Sequence, residues 1–334
     1  MKAIVVRHFG PFAQATFDDL PDPTPGAGQV VIDVHSAEAN YPDILVMEGN
    51  YQVKPPLPFS PGKAASGVVS ALGAGVTSLQ LGQRVAVQVE HGAYAQQLVA
   101  DAGNCYPMPE GMPFDDAAAL GLVYQTAHYA LNERASLKPG ETVLVLGASG
   151  GIGVASVQLA KALGAKIVIA GVLGADNAAV AVQAGADHVI ELGDESIKEN
   201  LRAQVKKITG DQGVDVVIDP VGGEANAAAL RAMAWRARMV IIGFASGNIP
   251  TIKANYLLVK NIAVSGLQWS DYRERDPVGV AAVQADIFRL YEQGKTRPYI
   301  SKRLPLEQFA QALGLLSNGQ AQGKIILQVR ESNS

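Results

Sequence analysis

The sequence predicts a mixed α/β protein in which a β-rich region is followed by a doubly wound parallel sheet. The first third of the 334 residues contains short apolar runs separated by turns rich in proline and glycine, a pattern typical of a barrel or sandwich. After Asp115, continuous apolar runs alternate with stretches of helical length, a pattern typical of parallel strands covered by helices on both faces. A chain of this length is expected to form about two domains.

The predicted strands of the first third are short, and proline-rich turns at 21–26 and 55–62 separate them. These strands are 2–6, 29–34, 68–73 and 83–89. Their spacing and punctuation predict a barrel-like or sandwich region.

Strands and helices then alternate along the middle of the chain. The predicted strands are 142–146, 166–170, 188–190, 214–219, 238–242 and 261–266. The predicted helices are a short one from Asp115, then 126–134, 153–163, 178–184, 197–209 and 225–234. A helix at 280–293 and a strand at 324–329 complete the tail. The alternation predicts a parallel sheet in this part of the chain.

Composition excludes several classes of protein. The net charge of −4 comes without a basic cluster, so the sequence carries no electrostatic signature for nucleic acid or anionic membrane. A single cysteine, Cys105, excludes an internal disulfide framework and a thiolate-rich zinc site. The apolar start and the other apolar runs are too short for a signal peptide or a membrane helix. We therefore expect a cytoplasmic protein.

The strongest motif is a glycine-rich turn between a predicted strand and a predicted helix, Gly-Ala-Ser-Gly-Gly-Ile-Gly after Leu146. Glycines let the backbone turn tightly and approach a pyrophosphate, and the N–H groups of the following helix then point at the phosphates. The context of strand, turn and helix makes a dinucleotide site far more specific than a lone glycine triplet. The residues expected to contact the nucleotide are Gly147, Ser149, Gly150, Gly151, Ile152 and Gly153.

The end of the second parallel strand is informative because dehydrogenases that use NAD usually place an acid there. The residues from Ala170 to Gly174 include neither acid nor base. The missing acid favours NADP(H), while the missing lysine or arginine weakens that preference. Asn177 is a candidate ribose contact, and the alternative is that Asp176 and Asn177 cap the next helix.

Ligands of doubly wound sheets bind beyond the carboxyl ends of the strands. Small residues follow the fourth, fifth and sixth predicted strands and leave room for ribose and nicotinamide. The candidates are Val221, Gly243, Phe244, Gly266 and Leu267. The alternative for each is an ordinary turn.

Together these motifs resemble the zeta-crystallin-like quinone oxidoreductases, zinc-free members of the medium-chain dehydrogenase/reductase superfamily. The signature runs from Gly140 through Gly153 to Gln158 and Lys161. Further similar segments are 40–43, 49–51, 58–62, 219–223 and 323–327, so that the resemblance covers nearly the whole chain.

The resemblance implies a GroES-like β-rich catalytic domain at 1–121 and 269–334, interrupted by a Rossmann domain at 122–268. It also implies a cleft between the domains for nicotinamide and substrate. Relatives are commonly dimers or tetramers that pair the last Rossmann strand, here 261–266. We therefore expect a homodimer or homotetramer that takes a small-molecule quinone or enone and NADP(H), with NAD(H) as the alternative. Lysine and tyrosine, which NADP(H)-preferring relatives carry near Asn177 and Leu192, are not present.

The resemblance also implies that no catalytic zinc is bound. Asn40 and Lys63 stand where zinc-dependent relatives carry a cysteine and a histidine, and Ala64 stands where they carry a glutamate close to the zinc ligands. A zinc site needs about three protein ligands, so we expect no metal to bind at these positions. We expect Lys63 to lie in a repacked turn with its ammonium in solvent. The alternative is a cation near the cleft that favours anionic substrates.

Asn40, Tyr51 and Asp43 are the catalytic candidates. Hydride attack on a quinone or enone places negative charge on an oxygen, which the protein must stabilise. Asn40 and Tyr51 resemble cleft-lining residues that can donate a hydrogen bond to that oxygen. Asn40 and Asp43 have the alternative role of capping a turn and the following helix. Thr126 matches a position that contacts the nicotinamide edge.

Three functions follow from these observations. The first is reduction of a quinone or an α,β-unsaturated carbonyl by NAD(P)H. The second is reduction of other activated double bonds, such as enoyl thioesters or haloacrylates. The third is a crystallin-like or RNA-binding protein that holds the nucleotide without turnover, although the charge pattern gives no reason to expect nucleic-acid binding.

Overall fold

The computed structural model describes residues 1–193 and 197–330, which form two compact units. The first unit comprises Met1–Leu122, Arg275–Arg289 and the residues from Ile300 onward. The second comprises Val123–Glu274 and Leu290–Tyr299. The domain boundaries expected from the sequence stay a prediction.

The described strands are numbered in chain order. They are β1 (Lys2–Val5), β2 (Thr16–Asp19), β3 (Gln29–Ala39), β4 (Ala64–Leu72), β5 (Arg84–Gln88), β6 (Gln97–Asp101), β7 (Cys105–Pro107), β8 (Thr142–Leu146), β9 (Ile167–Val172), β10 (His188–Glu191), β11 (Val214–Asp219), β12 (Met233–Ile241), β13 (Ala263–Gly266), β14 (Ile300–Pro305) and β15 (Lys324–Gln328).

The described α-helices are numbered in the same way. They are α1 (Tyr41–Met47), α2 (Phe114–Ala119), α3 (Leu122–Tyr129), α4 (Gly151–Ala162), α5 (Ala175–Gln183), α6 (Ile197–Thr209), α7 (Gly223–Ala232), α8 (Ala254–Lys260), α9 (Trp269–Arg275), α10 (Pro277–Glu292) and α11 (Phe309–Ser317).

The first unit is built on a mainly antiparallel sheet in the order β14-β15-β3-β4-β5-β7, with β6 also pairing to β3 and with β14 parallel to β15. The long central strand β3 buries its apolar residues against helices α1 and α11. Alternating apolar residues such as Val30, Ile32 and Val34 give the strand one face for the core. This core holds the candidate catalytic residues in place.

The second unit is a six-stranded sheet in the order β10-β9-β8-β11-β12-β13, and all its pairings are parallel. The order reverses between β8 and β11, which creates the crevice where doubly wound sheets bind ligands. Strand β8 is buried along its whole length, in keeping with a strand covered on both faces. The predicted fold class, a β-rich region with a doubly wound parallel sheet, is confirmed.

One predicted helix boundary is wrong. The alanine-rich segment 225–234 was expected to be helical throughout, but α7 ends at Ala232 and β12 begins at Met233. Met233 pairs with Val214 of β11, and the register then shifts before Arg238 pairs with Val216. Arg236 adopts a φ of 65° within this irregular stretch. Pairing with a neighbouring strand has overridden local helix propensity here.

Candidate functional site

The glycine turn between β8 and α4 has the geometry of a phosphate site. Gly147 follows β8 with a φ of 61°, in the left-handed region that favours glycine. Gly150 is the N-cap residue of α4, which begins at Gly151 and continues through Ile152. The first N–H groups of a helix lack partners within that helix and carry its positive dipole end, so this turn suits an anion.

Gly153 fixes how closely α4 approaches the end of β8. A Cβ atom at Gly153 would lie 2.1 Å from the carbonyl oxygen of Gly147 and 2.5 Å from the Cα atom of Ala148. Only glycine fits at this distance. Ser149 is buried in the same turn. The structure thus brings together all six residues that the sequence predicted for this turn.

The end of β11 lies beside the glycine turn and is organised by Asp219. This buried carboxylate accepts hydrogen bonds from the N–H groups of Val221 (2.9 Å) and Gly222 (2.8 Å) and from the Asn226 side chain (2.7 Å). A Cβ on Gly147 would lie 2.9 Å from the Val221 side chain. Val221 is therefore a wall of the glycine turn.

The segment after β12 packs against the segment that follows β11. The N–H groups of Ala245 and Ser246 donate to the carbonyl oxygens of Pro220 and Val221, both at 3.0 Å. A Cβ on Gly222 would lie 3.0 Å from the ring of Phe244. The predicted positions Val221, Gly243 and Phe244 therefore lie around one crevice at the strand ends.

Gly266 and Leu267 lie one strand further along the sheet. Gly266 pairs with Ile241, and the N–H group of Leu267 donates to the carbonyl oxygen of Ile241 at 3.0 Å. Apart from its neighbours in the chain, no atom of residues 1–193 and 197–330 lies within 4 Å of a Cβ built on Gly266, whereas Leu267 is buried. Their nucleotide contacts stay a prediction.

An acidic side chain that was not predicted from the sequence lies beside the end of β9. Glu191, at the end of the neighbouring strand β10, accepts hydrogen bonds from the N–H groups of Gly174 (2.8 Å) and Gly193 (3.0 Å). Gly174 is the N-cap residue of α5 and no side chain of the described residues caps it, so the alternative in which Asp176 and Asn177 cap this helix is wrong. The Asn177 amide donates instead to the carbonyl oxygen of Leu173 at 2.6 Å. The parallel register of β9 and β10 was the signal that could have revealed Glu191.

Thr126 is buried in α3, and its predicted contact with nicotinamide stays a prediction. The same helix is tied to α4 by the Tyr124 hydroxyl, which donates to the Gln158 side-chain oxygen at 2.7 Å. Gln158 also exchanges hydrogen bonds with the backbone of Arg297 at 2.7 and 2.9 Å. Gln158 therefore anchors the helix that starts at the glycine turn.

Asn40 belongs to a buried polar cluster in the first unit. Its side-chain NH₂ donates to the Glu38 carboxylate at 2.9 Å, and its side-chain oxygen accepts from the Lys324 ammonium at 2.7 Å. Lys324 also lies 2.8 Å from Glu38. Burial raises the pKa of Glu38, and the Lys324 ammonium opposes that rise. These contacts fix the orientation of the Asn40 amide, and its contact with substrate stays a prediction.

Asp43 is fully buried at the start of α1 and caps that helix. Its Oδ2 atom accepts from the Asn40 N–H group at 2.8 Å and from the Tyr94 hydroxyl at 2.7 Å. Its Oδ1 atom is buried with no hydrogen-bond partner among the described residues. Burial raises the pKa of Asp43 to about 6. The capping alternative is confirmed, and the catalytic role of Asp43 stays a prediction.

Tyr51 is half-buried beside Lys63. The burial of Lys63 is the largest departure from the site predicted from the sequence. The Lys63 ammonium lies 4.4 Å from the centroid of the Tyr51 ring and forms an ion pair with Glu90. Lys63 is only 5% exposed, so the expectation of a solvated ammonium is wrong. Gly62 causes this burial in part, because its φ of 95° turns the chain against Tyr94 and into β4.

Metal-binding groups are sparse around these residues. In the ranges 1–193 and 197–330, no group of three or more histidine, cysteine or acidic side chains is placed to hold a metal ion. Asn40 and Lys63 are themselves engaged by protein groups. Zinc independence stays a prediction. In the same ranges, no helix is both long and apolar enough to cross a membrane.

A glycine turn at the switch point of a parallel sheet, carried in one chain with an antiparallel β unit, defines a dinucleotide-binding protein of the medium-chain dehydrogenase/reductase class. Two family profiles agree with this class. The alcohol dehydrogenase GroES-like domain matches residues 26–113, and the zinc-binding dehydrogenase matches residues 151–284.

Similar proteins narrow the class to a family. Quinone oxidoreductase-like protein 2 of Rattus norvegicus is 36% identical over 91% of this chain and 86% of its own length. Quinone oxidoreductase of Sus scrofa is 34% identical over 98% of this chain and 97% of its own length. The crystal structure of Escherichia coli quinone oxidoreductase complexed with NADPH has a TM-score of 0.89 and 28% identity, and the match covers 98% of this chain and all of the other. The chain belongs to the zeta-crystallin-like quinone oxidoreductases and is therefore an oxidoreductase.

Proposed function

We propose that this oxidoreductase transfers hydride from NADPH or NADH, without zinc, to a quinone or an α,β-unsaturated carbonyl compound. The observation that carries the proposal is the close approach of Gly153 to the Gly147 backbone, which seats the start of α4 against the end of β8 and leaves no room for a side chain at position 153. The names of the relatives, quinone oxidoreductases among them, support the acceptor class. An NADPH complex of the Escherichia coli relative supports the cofactor.

The residues around the glycine turn fit a dinucleotide. The start of α4 would bind the pyrophosphate, and the small residues at the ends of β11, β12 and β13 leave space for ribose and nicotinamide. When bound, the reduced nicotinamide supplies a hydride. The role of this chain's residues is to hold that cofactor and to exclude water from its reactive face.

Tyr51 is our candidate hydrogen-bond donor to the acceptor's oxygen. Asn40 and Asp43 support it indirectly in this proposal, because Asp43 fixes the start of α1 and Asn40 joins that start to Glu38 and Lys324. A donor placed before the reaction stabilises the developing oxyanion without reorganisation. A conjugated acceptor is already electrophilic, so the proposed chemistry needs no Lewis acid.

We also propose that the protein works as a cytoplasmic homodimer. Strand β13 is the terminal strand of its sheet, and Leu258 and Val259 of the adjoining helix α8 are 79% and 76% exposed. Exposed apolar side chains beside an open strand edge suit a second copy of the same surface.

Turnover with a panel of acceptors tests the function. Protein treated with a chelator is mixed with NADPH or NADH and with quinones, enones and saturated aldehydes, and the loss of reduced nicotinamide is followed by absorbance. We expect turnover of quinones or enones and none of saturated aldehydes. Tight binding of NADPH without turnover of any acceptor would contradict the proposal and favour a nucleotide-binding protein without catalysis.

A further inference from the structure

Lys63 lies at the junction between the loop after Gly62 and strand β4. The carbonyl oxygen of Lys63 accepts a hydrogen bond from the N–H group of Val89 at 2.9 Å, which extends the β4–β5 pairing by one step. This backbone contact places Lys63 and Glu90 at the same end of the two strands. The position of the ammonium is therefore set by the sheet and not by a loop.

The Lys63 charge reaches several groups of the candidate catalytic region. Its ammonium faces the ring of Tyr51 and pairs with Glu90. Burial lowers the pKa of His91, and the Lys63 charge lowers it further. The same charge opposes the burial that raises the pKa of Asp43. Lys63 is thus in contact with Tyr51 and Glu90, and its charge also acts on Asp43 and His91.

The two buried lysines of the first unit differ in their surroundings. Lys324 bonds to Asn40, Glu38 and the Ala39 carbonyl oxygen, all of them inside the core. Lys63 instead pairs with Glu90, whose side chain keeps 20% of its surface exposed, and packs on the half-buried Tyr51. The Lys63 cluster therefore extends from the core to the surface of the unit. A cation held there in a low dielectric acts strongly on any oxygen that approaches.

We propose that Lys63 is a catalytic residue whose ammonium, together with the Tyr51 hydroxyl, stabilises the negative charge that develops on the carbonyl oxygen of the acceptor. The inference rests on the proposed function and adds a residue to it. Glu90 orients the ammonium and balances its charge while the site is empty. Quinones and enones are the acceptors that this pair would serve, because hydride addition to either one moves negative charge onto a carbonyl oxygen.

The proton balance of the step is simple. Hydride from the reduced nicotinamide adds to the conjugated carbon, and the displaced π electrons move to the carbonyl oxygen. That oxygen takes one proton from the Lys63 ammonium, which leaves an enol and a neutral amine. The enol tautomerises to a saturated ketone when the acceptor is an enone and to a hydroquinone when the acceptor is a quinone. The amine regains a proton from water at the exposed side of Glu90. The net reaction consumes one reduced nicotinamide and one proton for each acceptor.

Substitution of Lys63 tests the inference. Lys63→Met removes the charge and keeps much of the volume, and Lys63→Arg keeps the charge. We expect kcat to fall about 100-fold in Lys63→Met, the cost of losing one oxyanion donor, and to stay within about tenfold in Lys63→Arg. KM for the acceptor and the dissociation constant of the reduced nucleotide, measured by fluorescence titration, should change by less than about threefold. Lys302→Met, at an exposed lysine of the same unit, is the matched control.

A second variant keeps the test interpretable if Lys63→Met does not fold. Lys63→Met leaves Glu90 without its cation, so Lys63→Met/Glu90→Gln removes both charges and should fold. Addition of ethylammonium to Lys63→Ala should restore part of kcat, which a structural role would not produce. Full activity in folded Lys63→Met or in the double variant would overturn the inference while the wild-type turnover upholds the proposed function. Absence of wild-type turnover would instead refute the proposed function itself.

Discussion

Gly153 and Gly147 approach so closely that a side chain on Gly153 would overlap the Gly147 carbonyl oxygen at 2.1 Å. This contact seats the first turn of α4 against the end of β8 and shapes the cradle for a pyrophosphate. The shape of the cofactor site therefore depends on the absence of a side chain at position 153.

Gly153→Ala is expected to push α4 away from the glycine turn. The overlap involves backbone atoms that cannot rotate aside, so we predict at least a tenfold loss of nucleotide affinity, roughly 1.4 kcal/mol or more. Isothermal titration with NADPH measures this change. Gly314→Ala, in helix α11, is the control, since no atom lies within 4 Å of its Cβ. An unchanged affinity in Gly153→Ala would show that the cradle tolerates the displacement.

Lys324→Met is expected to destabilise the first unit. It leaves the fully buried Glu38 carboxylate without the ammonium that lies 2.8 Å away. Breaking such a pair on one side costs about 3–5 kcal/mol, whereas removing both charges costs much less. Urea unfolding of Lys324→Met and of Lys324→Met/Glu38→Gln compares the two cases. If the free energy of unfolding falls equally in the single and the double variant, the loss does not come from an unpaired Glu38 charge.

Asp43 should make the fold less stable as the pH rises. Its pKa is raised to about 6 in the folded protein, above about 3.9 in an unfolded chain. The folded state therefore holds the proton more tightly, and the free energy of unfolding falls by about 2 kcal/mol between pH ~4 and pH ~6.

Asp43→Asn removes this titration and keeps an oxygen for the Asn40 N–H group. Relative to the wild type, the variant should gain about 2 kcal/mol on going from pH ~4 to pH ~8. Urea unfolding at the two pH values gives the difference. A constant difference between variant and wild type would mean that Asp43 is ionised in the folded state throughout.

Glu191 is expected to disfavour the 2′-phosphate of NADP(H). Its carboxylate takes the N–H group of Gly174, a donor that a phosphate at the end of β9 would otherwise use, and it repels a dianion. Glu191→Gln should strengthen NADPH binding about three- to tenfold and leave NADH binding nearly unchanged. Titrations with NADPH and NADH give the ratio of the two dissociation constants in the wild type and in the variant. An equal effect on both nucleotides would place the 2′ position away from Glu191.

The sequence predicted best where local pattern and tertiary structure agree. Strands Thr142–Leu146 and Val214–Asp219 were predicted with their observed bounds, because a continuous apolar run suits only a strand buried on both faces. The glycine turn was predicted for a related reason, since its backbone conformation and close packing require residues without a side chain. The strand predicted at 238–242 was found, but the start of Met233–Ile241 was missed, because the alanine-rich segment there favours helix locally and only the neighbouring strand makes it extended.

The charged groups of the first unit could not be predicted from the sequence alone. Glu38 and Lys324 come from opposite ends of the chain and meet only because β15 pairs with β3. Lys63 looked like a solvated lysine in a turn, and its burial depends on Gly62, Tyr51 and Glu90 together. Such long-range pairs have no signature in local composition.

Direct transfer of labelled hydride tests the central claim. NADPH carrying deuterium at the reactive C4 position is incubated with chelator-treated protein and an enone, and the product is analysed by mass spectrometry and NMR. We predict deuterium at the β-carbon of the saturated ketone and a solvent proton at the neighbouring α-carbon. A product without deuterium, or no product despite bound NADPH, would contradict hydride transfer to the conjugated carbon.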